Sequence, residues 1–150
     1  MRFFSARRPG FSMIELLIVL AIAAILASIA WPAYQNQVLR GRRSDAMSAL
    51  AAVSQAQERW RSDNPAYQSV MADLPGGMAV SQGGHYDVTM VAGTVTASAY
   101  TVRASVKATS PQANDSNCQA MQMTLAAGRI TYTSSNGGGA NGDPDPCWVR

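Results

Sequence analysis

Histidine occurs once and cysteine twice in 150 residues, and charged side chains make up only 14% of the chain. That scarcity excludes most catalytic and metal chemistry at the outset. His85 stands beside Gly84 at the opening of a strand-like run, which suits an exposed edge residue, and no nucleophile motif accompanies it. Neither cysteine belongs to a C-x-x-C pair or sits at metal spacing from the histidine. The glycines at 137–139 lack the Lys-Ser/Thr that a phosphate loop requires. Asn141, Asp143 and Asp145 alternate as calcium ligands do, but the EF-hand glycine and distal glutamate are missing, so turn chemistry accounts for them better. No enzyme activity, metal or cofactor is expected.

An excess of charge of one sign is also missing where it would matter. The formal net charge of +3 includes Arg2, Arg7 and Arg8 in the first ten residues, and without them nine basic side chains face nine acidic ones. Past Val53 the basic residues are Arg59, Arg61, Arg103, Lys107, Arg129 and Arg150, against Glu58, Asp63, Asp73, Asp87, Asp115, Asp143 and Asp145. Bulk charge therefore gives no reason to expect nucleic acid as a partner, and only a local basic patch on the folded surface would change that. Trp60 and Trp148 are expected in core or disulfide packing rather than under stacked bases.

What the chain does have is one long apolar run, residues 11–31, interrupted by a single carboxylate at Glu15. As a helix, 21 residues span about 31 Å, close to the roughly 30 Å of a bilayer's hydrocarbon core. One crossing is expected, with Trp31 and Tyr34 at the interface and Pro32 kinking the helix just beyond it. An ionisable group in such a helix costs roughly 2.5–3.5 kcal/mol on insertion scales, so Glu15 reads as a functional group with a counter-charge nearby. Ala23 with Ala27 and Ala24 with Ser28 are small pairs that allow close approach of helices.

Beyond the apolar run the pattern turns amphipathic without a break. Ala46, Leu50, Val53, Ala56 and Trp60 form a stripe at steps of three and four, with Arg42, Arg43, Asp45, Gln55, Gln57 and Arg59 among its polar neighbours. Asp63-Asn64-Pro65 ends it, so one helix is expected from near Phe11 to about Ser62, flexed at Pro32 and Gly41. Residues 65–84 read as a loop punctuated by Pro75-Gly76-Gly77 and Gly83-Gly84. Strands are expected at 86–91, 100–107, 119–125 and 129–134, with hairpins at Ala92-Gly93-Thr94 and Ala126-Ala127-Gly128. Four antiparallel strands need one face covered, and the helical stripe is the surface available to cover it. The fold class is α+β.

Cys118 and Cys147 bracket the glycine-rich, polar segment 136–146, which is too polar to pack itself. A disulfide formed outside the cytosol is the economical reading, with two free buried thiols as its alternative. Charge flanking the apolar run leaves orientation tied, since Arg40, Arg42 and Arg43 match the three arginines of the first ten residues, and the cysteines favour placing the C-terminal part outside the cytoplasm.

The opening residues, a short basic stretch, then Gly10-Phe11, then Glu15 four residues on, then the apolar run, resemble the type IV pilin family and its prepilin signal, most closely a PilE-type minor pilin. The resemblance implies that a prepilin peptidase cuts after Gly10 and that Phe11 becomes the N-methylated terminus. It also implies that Glu15 docks against a neighbouring subunit, with the new Phe11 amine as the counter-charge. Pro32 and Tyr34 fall where the family often has a proline and a tyrosine. The expected organisation is a leader at 1–10, a transmembrane and assembly helix at 11–34, and a globular head at 35–150. The implied role is structural: a subunit held in inner-membrane lipid with its head in the periplasm, then assembled with other pilin subunits into an extracellular pilus serving biogenesis, adhesion or motility. In pilins the cysteine-bounded region is an exposed surface that distinguishes one subunit from another. A DNA-receptor pilin of competence and a type II secretion pseudopilin are the alternatives.

Overall fold

The computed structural model describes residues 11–148. Gly10, the expected cleavage residue, lies outside the described residues. The chain divides into two compact units at the Gln37/Val38 boundary, and helix α1 (Met13–Asp63) contributes to both.

In the first unit α1 opens after Ser12, whose carbonyl accepts from Leu16 N at 3.2 Å. Leucine, isoleucine and alanine dominate residues 16–30, which suits a helix, and no side chain from 11 to 36 is buried. The helix is long and apolar enough to cross a membrane. Helical structure continues through Pro32.

The second unit is built on residues 38–63 of α1 and a four-stranded antiparallel meander, β1 (Tyr86–Met90), β2 (Ala99–Val106), β3 (Ala120–Ala126) and β4 (Arg129–Ser135), in spatial order β1-β2-β3-β4. The expected stripe is the buried face: Ala46, Ala49, Leu50, Val53 and Ala56 are all at most 1% exposed. They meet Tyr86, Val88, Tyr100, Val102, Ala104, Met121, Met123 and Leu125 from the inner face of the sheet. Small residues at 46, 49 and 56 let the helix backbone approach the sheet closely. Truncating Leu50 to alanine in such a core costs about 2–5 kcal/mol.

The helix ends as the sequence indicates. Asn64 donates to the Trp60 carbonyl at 2.9 Å, and Arg61 donates to the Asn64 carbonyl at 2.6 Å. The loop that follows is fastened to α1 by side chains rather than by regular structure. Buried Gln57 donates to the Gln68 carbonyl at 2.7 Å and accepts from Gln68 N at 2.9 Å. Asp45 accepts from Ser81 Oγ at 2.6 Å and from Gly83 N at 2.8 Å. A Cβ at position 83 would lie 2.8 Å from an Asp45 oxygen, so this approach needs glycine.

Two expectations need correction. The β1–β2 connection is longer than the Ala92-Gly93-Thr94 hairpin, because Thr94 N bonds back to Val91 O and Thr96 N to Ala99 O, making two successive turns before β2 begins. The helix also does not cover the whole sheet. Ile130 and Tyr132 of β4 face the core side by alternation yet remain 43% and 51% exposed. By contrast, the β3–β4 turn is a tight two-residue link, with Ala127 at φ 48° and Gly128 at φ 78°.

Candidate functional site

Glu15 lies in the first turn of α1, where the helix dipole favours a carboxylate. Among the described residues no ion-pair partner reaches it. Around it Phe11, Met13, Ile14, Leu16, Leu17, Ile18, Val19 and Leu20 are all more than half exposed. The segment is one carboxylate on a bare apolar helix, and among the described residues no group of three or more His, Cys, Asp or Glu is placed to hold a metal ion. Of the expected site residues, Glu15 and Pro32 lie on α1 and Phe11 two residues before it, while Cys118 and Cys147 belong to the head.

Cys118 and Cys147 form a disulfide. Closing a loop of this size restricts the unfolded chain by roughly 3.5 kcal/mol in the chain-entropy account. The bond is not the only restraint on the glycine-rich segment. Asn141 Nδ2 donates to Asn117 O at 2.9 Å and Ser134 Oγ at 2.7 Å, and Asp145 accepts from Ser134 Oγ at 2.6 Å and Cys147 N at 2.9 Å. Trp148 Nε1 donates to Thr133 O at 3.1 Å, with its ring 4.6 Å from that of Tyr132. The Asn141 amide nitrogen and an Asp145 carboxylate oxygen are thus engaged in bracing the loop.

A buried charge pair ties this region to the helix. Arg43 donates from Nε to Asp115 Oδ2 at 2.7 Å, from Nη2 to Asp115 Oδ1 at 2.9 Å, and from Nη1 to Pro146 O at 2.9 Å. Gln112 Nε2 adds a bond to Asp115 Oδ2 at 2.8 Å. Sequence reasoning placed Arg43 among the polar neighbours of the stripe. The signal that could have found it is spacing: 43, 46, 50 and 53 share one helical face, so an arginine there needs a buried partner.

Near this pair the Tyr86 hydroxyl and Gln112 Oε1 are buried without a hydrogen-bond partner. Burial, and then the Asp115 carboxylate, push the Tyr86 hydroxyl up to about 12. Burial also raises Tyr100, whose ring packs edge-on to Tyr67 at 4.8 Å. His85 is half-buried rather than exposed, because its Nδ1 lies 2.9 Å from Ser110 Oγ. Trp60 packs against the core, as does Trp148.

The outer face of the sheet decides whether a basic patch exists. Thr89, Arg103, Gln122 and Thr133 form one cross-strand row. The Gln122 amide, oriented with its oxygen toward Arg103, accepts from Nε at 3.3 Å and from the Nη2 end at 3.0 Å. Lys107 Nζ is 3.7 Å from Asp87 Oδ1, so its charge is offset. Arg129 stands four residues along β4 from Thr133, which places it roughly 13 Å along and 10 Å across the sheet from Arg103. These three cations share a face without forming a contiguous stripe.

Comparison with known proteins supplies the family. A model described as "Prokaryotic N-terminal methylation motif" matches residues 5–31, and one described as "Type IV minor pilin ComP, DNA uptake sequence receptor" matches residues 32–122. The chain is similar to the fimbrial protein EcpC of Eikenella corrodens, 38% identical over 53% of this chain and 50% of that protein. It is also similar to the type IV major pilin protein PilA of Myxococcus xanthus, 36% identical over 55% of this chain and 37% of the relative. The type IV major pilin protein PilE1 of Neisseria gonorrhoeae is 38% identical over 60% of this chain and 43% of its own length. The chain spans half or less of the length of these relatives. With a methylation-motif helix, an α+β head and a disulfide-closed C-terminal region in one chain, this protein belongs to the type IV pilin family.

Proposed function

We propose that this chain is a structural subunit, of the minor-pilin kind, of a type IV pilus. A prepilin peptidase removes residues 1–10, Phe11 becomes the N-methylated terminus, and the 11–34 segment holds the subunit in inner-membrane lipid with its head in the periplasm. The apolar helix then joins those of other pilin subunits in the extracellular filament, Glu15 pairing with the Phe11 amine of a neighbour. The observation that carries this reading is the wholly exposed apolar helix with Glu15 as its one acidic group, continuous with the helix that forms the core of the head. Desolvation offsets much of the Coulomb gain of a pair in low dielectric, so Glu15 supplies register more than net stability. Kinking at Pro32 would let the two halves of α1 meet different neighbours.

Replacing Glu15 with leucine tests the reading. The variant improves insertion and removes the docking charge, so membrane insertion and cleavage should persist while recovery in sheared filaments falls. Equal recovery of variant and parent would sink the assigned role.

A second reading, a head that receives DNA during uptake, is supported by the description of the family matched over residues 32–122. The balanced charge of the chain offers little attraction for nucleic acid, and the separated Arg103, Lys107 and Arg129 leave the sheet face a weak electrostatic footprint. Binding of duplex DNA distinguishes the two readings.

A further inference from the structure

The disulfide-bounded segment contains two Asn-Gly steps, Asn136-Gly137 and Asn141-Gly142. Such a step is where an asparagine side chain is most open to attack by its own main chain, because glycine has no Cβ to crowd the nitrogen that follows. The structure holds the two asparagines in opposite ways.

Asn136 is exposed, and its Oδ1 accepts from Gly138 N at 3.0 Å. That bond turns the side chain toward the following peptide, the direction in which Cγ must move to reach Gly137 N. Gly137 is exposed at φ 86°, and its N–H meets no acceptor among the described residues. The turn is held at both ends, because Asn136 N donates to Gly139 O at 3.2 Å and Ser135 bridges to Ala140. A donor already on Oδ1 stabilises the negative charge that this oxygen takes up when Cγ is attacked. Asn141 is half-buried, and its amide nitrogen is the group that is held. Nδ2 donates to Asn117 O at 2.9 Å and Ser134 Oγ at 2.7 Å, and lies 3.2 Å from Cys147 Sγ. Expelling that nitrogen breaks these bonds, and turning Cγ toward Gly142 requires giving them up first.

We propose that Asn136 is a self-modification site, converted by its own main chain and water to aspartate and isoaspartate, while the hydrogen bonds of Asn141 protect the second Asn-Gly step of the same loop. Gly137 N attacks Asn136 Cγ; the N–Cγ bond forms, the Cγ–Nδ2 bond breaks, and the Gly137 amide proton leaves with Nδ2 as ammonia. Attack within one chain needs no encounter, so positioning alone sets much of the rate. Water then opens the five-membered imide. Breaking the new N–Cγ bond gives aspartate, and breaking the original peptide bond gives isoaspartate, whose main chain runs through Cγ. Either product adds one negative charge to a segment that has no basic side chain between Cys118 and Arg129 or between Ile130 and Cys147. Ser135 and Gly137, the neighbours of Asn136, line a cavity of about 510 Å³ with Arg103. The new carboxylate therefore arises beside the most central cation of the sheet's outer face, and further weakens that face toward polyanions. Isoaspartate also lengthens the main chain by one methylene inside the turn closed by Ser135 and Ala140.

The test incubates the purified full-length chain in detergent micelles in mildly alkaline buffer, folded in one arm and reduced and unfolded in urea in the other. Tryptic cleavage after Arg129 releases both asparagines in one peptide, and electron-transfer fragmentation assigns amide, aspartate and isoaspartate at each position over time. In the folded arm, conversion at 136 should outpace that at 141 by at least about tenfold, a difference in barrier of about 1.4 kcal/mol. In the unfolded arm the two rates should converge, because the sequence step is the same and only the fold distinguishes them. Asn136→Gln, whose longer side chain cannot close the five-membered ring, should stop conversion at 136 and leave the melting temperature in place. Ser134→Ala removes one acceptor of the Asn141 amide and should narrow the gap from the 141 side. Equal rates at the two positions in the folded chain, faster conversion at 141, or an Asn136 that persists while the unfolded arm converts both would overturn the proposal.

Discussion

Arg43 and Asp115, separated by 72 residues, meet in two parallel hydrogen bonds of 2.7 and 2.9 Å with both side chains almost fully buried. One end of this pair is on α1 and the other precedes the disulfide-bounded region, and the third guanidinium bond reaches Pro146 O inside that region. The pair therefore fixes where the C-terminal loop sits against the helix. Removing one partner leaves a buried charge uncompensated, so Arg43→Ala should destabilise the head by about 3–5 kcal/mol in denaturant unfolding. Arg43→Met combined with Asp115→Leu should recover much of that loss, because two apolar groups of similar volume leave no charge behind.

The Tyr86 hydroxyl should make the head sensitive to alkali. Its folded value is raised from 10.0 to about 12, so the stability linked to its neutral form is complete below about pH 10 and is lost as pH rises through about 12. Unfolding free energy measured across that window should fall less steeply in Tyr86→Phe.

Ala127 occupies a left-handed position at φ 48° in the β3–β4 turn, where a side chain with Cβ is strained. Ala127→Asn converts the turn to Asn-Gly, the sequence its geometry favours, and should raise stability by about 1 kcal/mol. Thermal unfolding of both forms checks it. A fall in melting temperature would mean the turn has a different conformation in solution.

For DNA, three separated cations predict weak and weakly salt-dependent contact. Neutralising three phosphates gives a log-log salt slope of only about −2.7 and little affinity near physiological salt. Duplex titration at micromolar protein should show no saturable binding. Submicromolar binding that disappears on Arg103→Ala with Lys107→Ala would make the DNA-receptor reading the better one.

Much of this molecule was legible in its sequence because the informative patterns are local. The helix stripe at 46, 50, 53 and 56, the period-two strands and the glycine-marked β3–β4 turn each follow from neighbouring residues, and the N-terminal pattern occupies one short run. What stayed hidden depends on residues brought together from afar. Arg43 looked like a surface cation because Asp115 lies 72 positions away. The exposure of Ile130 and Tyr132 follows from the helix covering β1 to β3 and stopping short of β4, and alternation alone gives a strand's face without its cover. The pairing of Lys107 with Asp87 likewise required the β1–β2 register.

Mass spectrometry of filaments sheared from cells producing the full chain tests the central claim most directly. The filament reading predicts that this chain is present in them and that its N-terminal peptide begins at N-methylated Phe11. Recovery of the chain only from membranes or medium, with a terminus at Trp31 or no cleavage after Gly10, would contradict it.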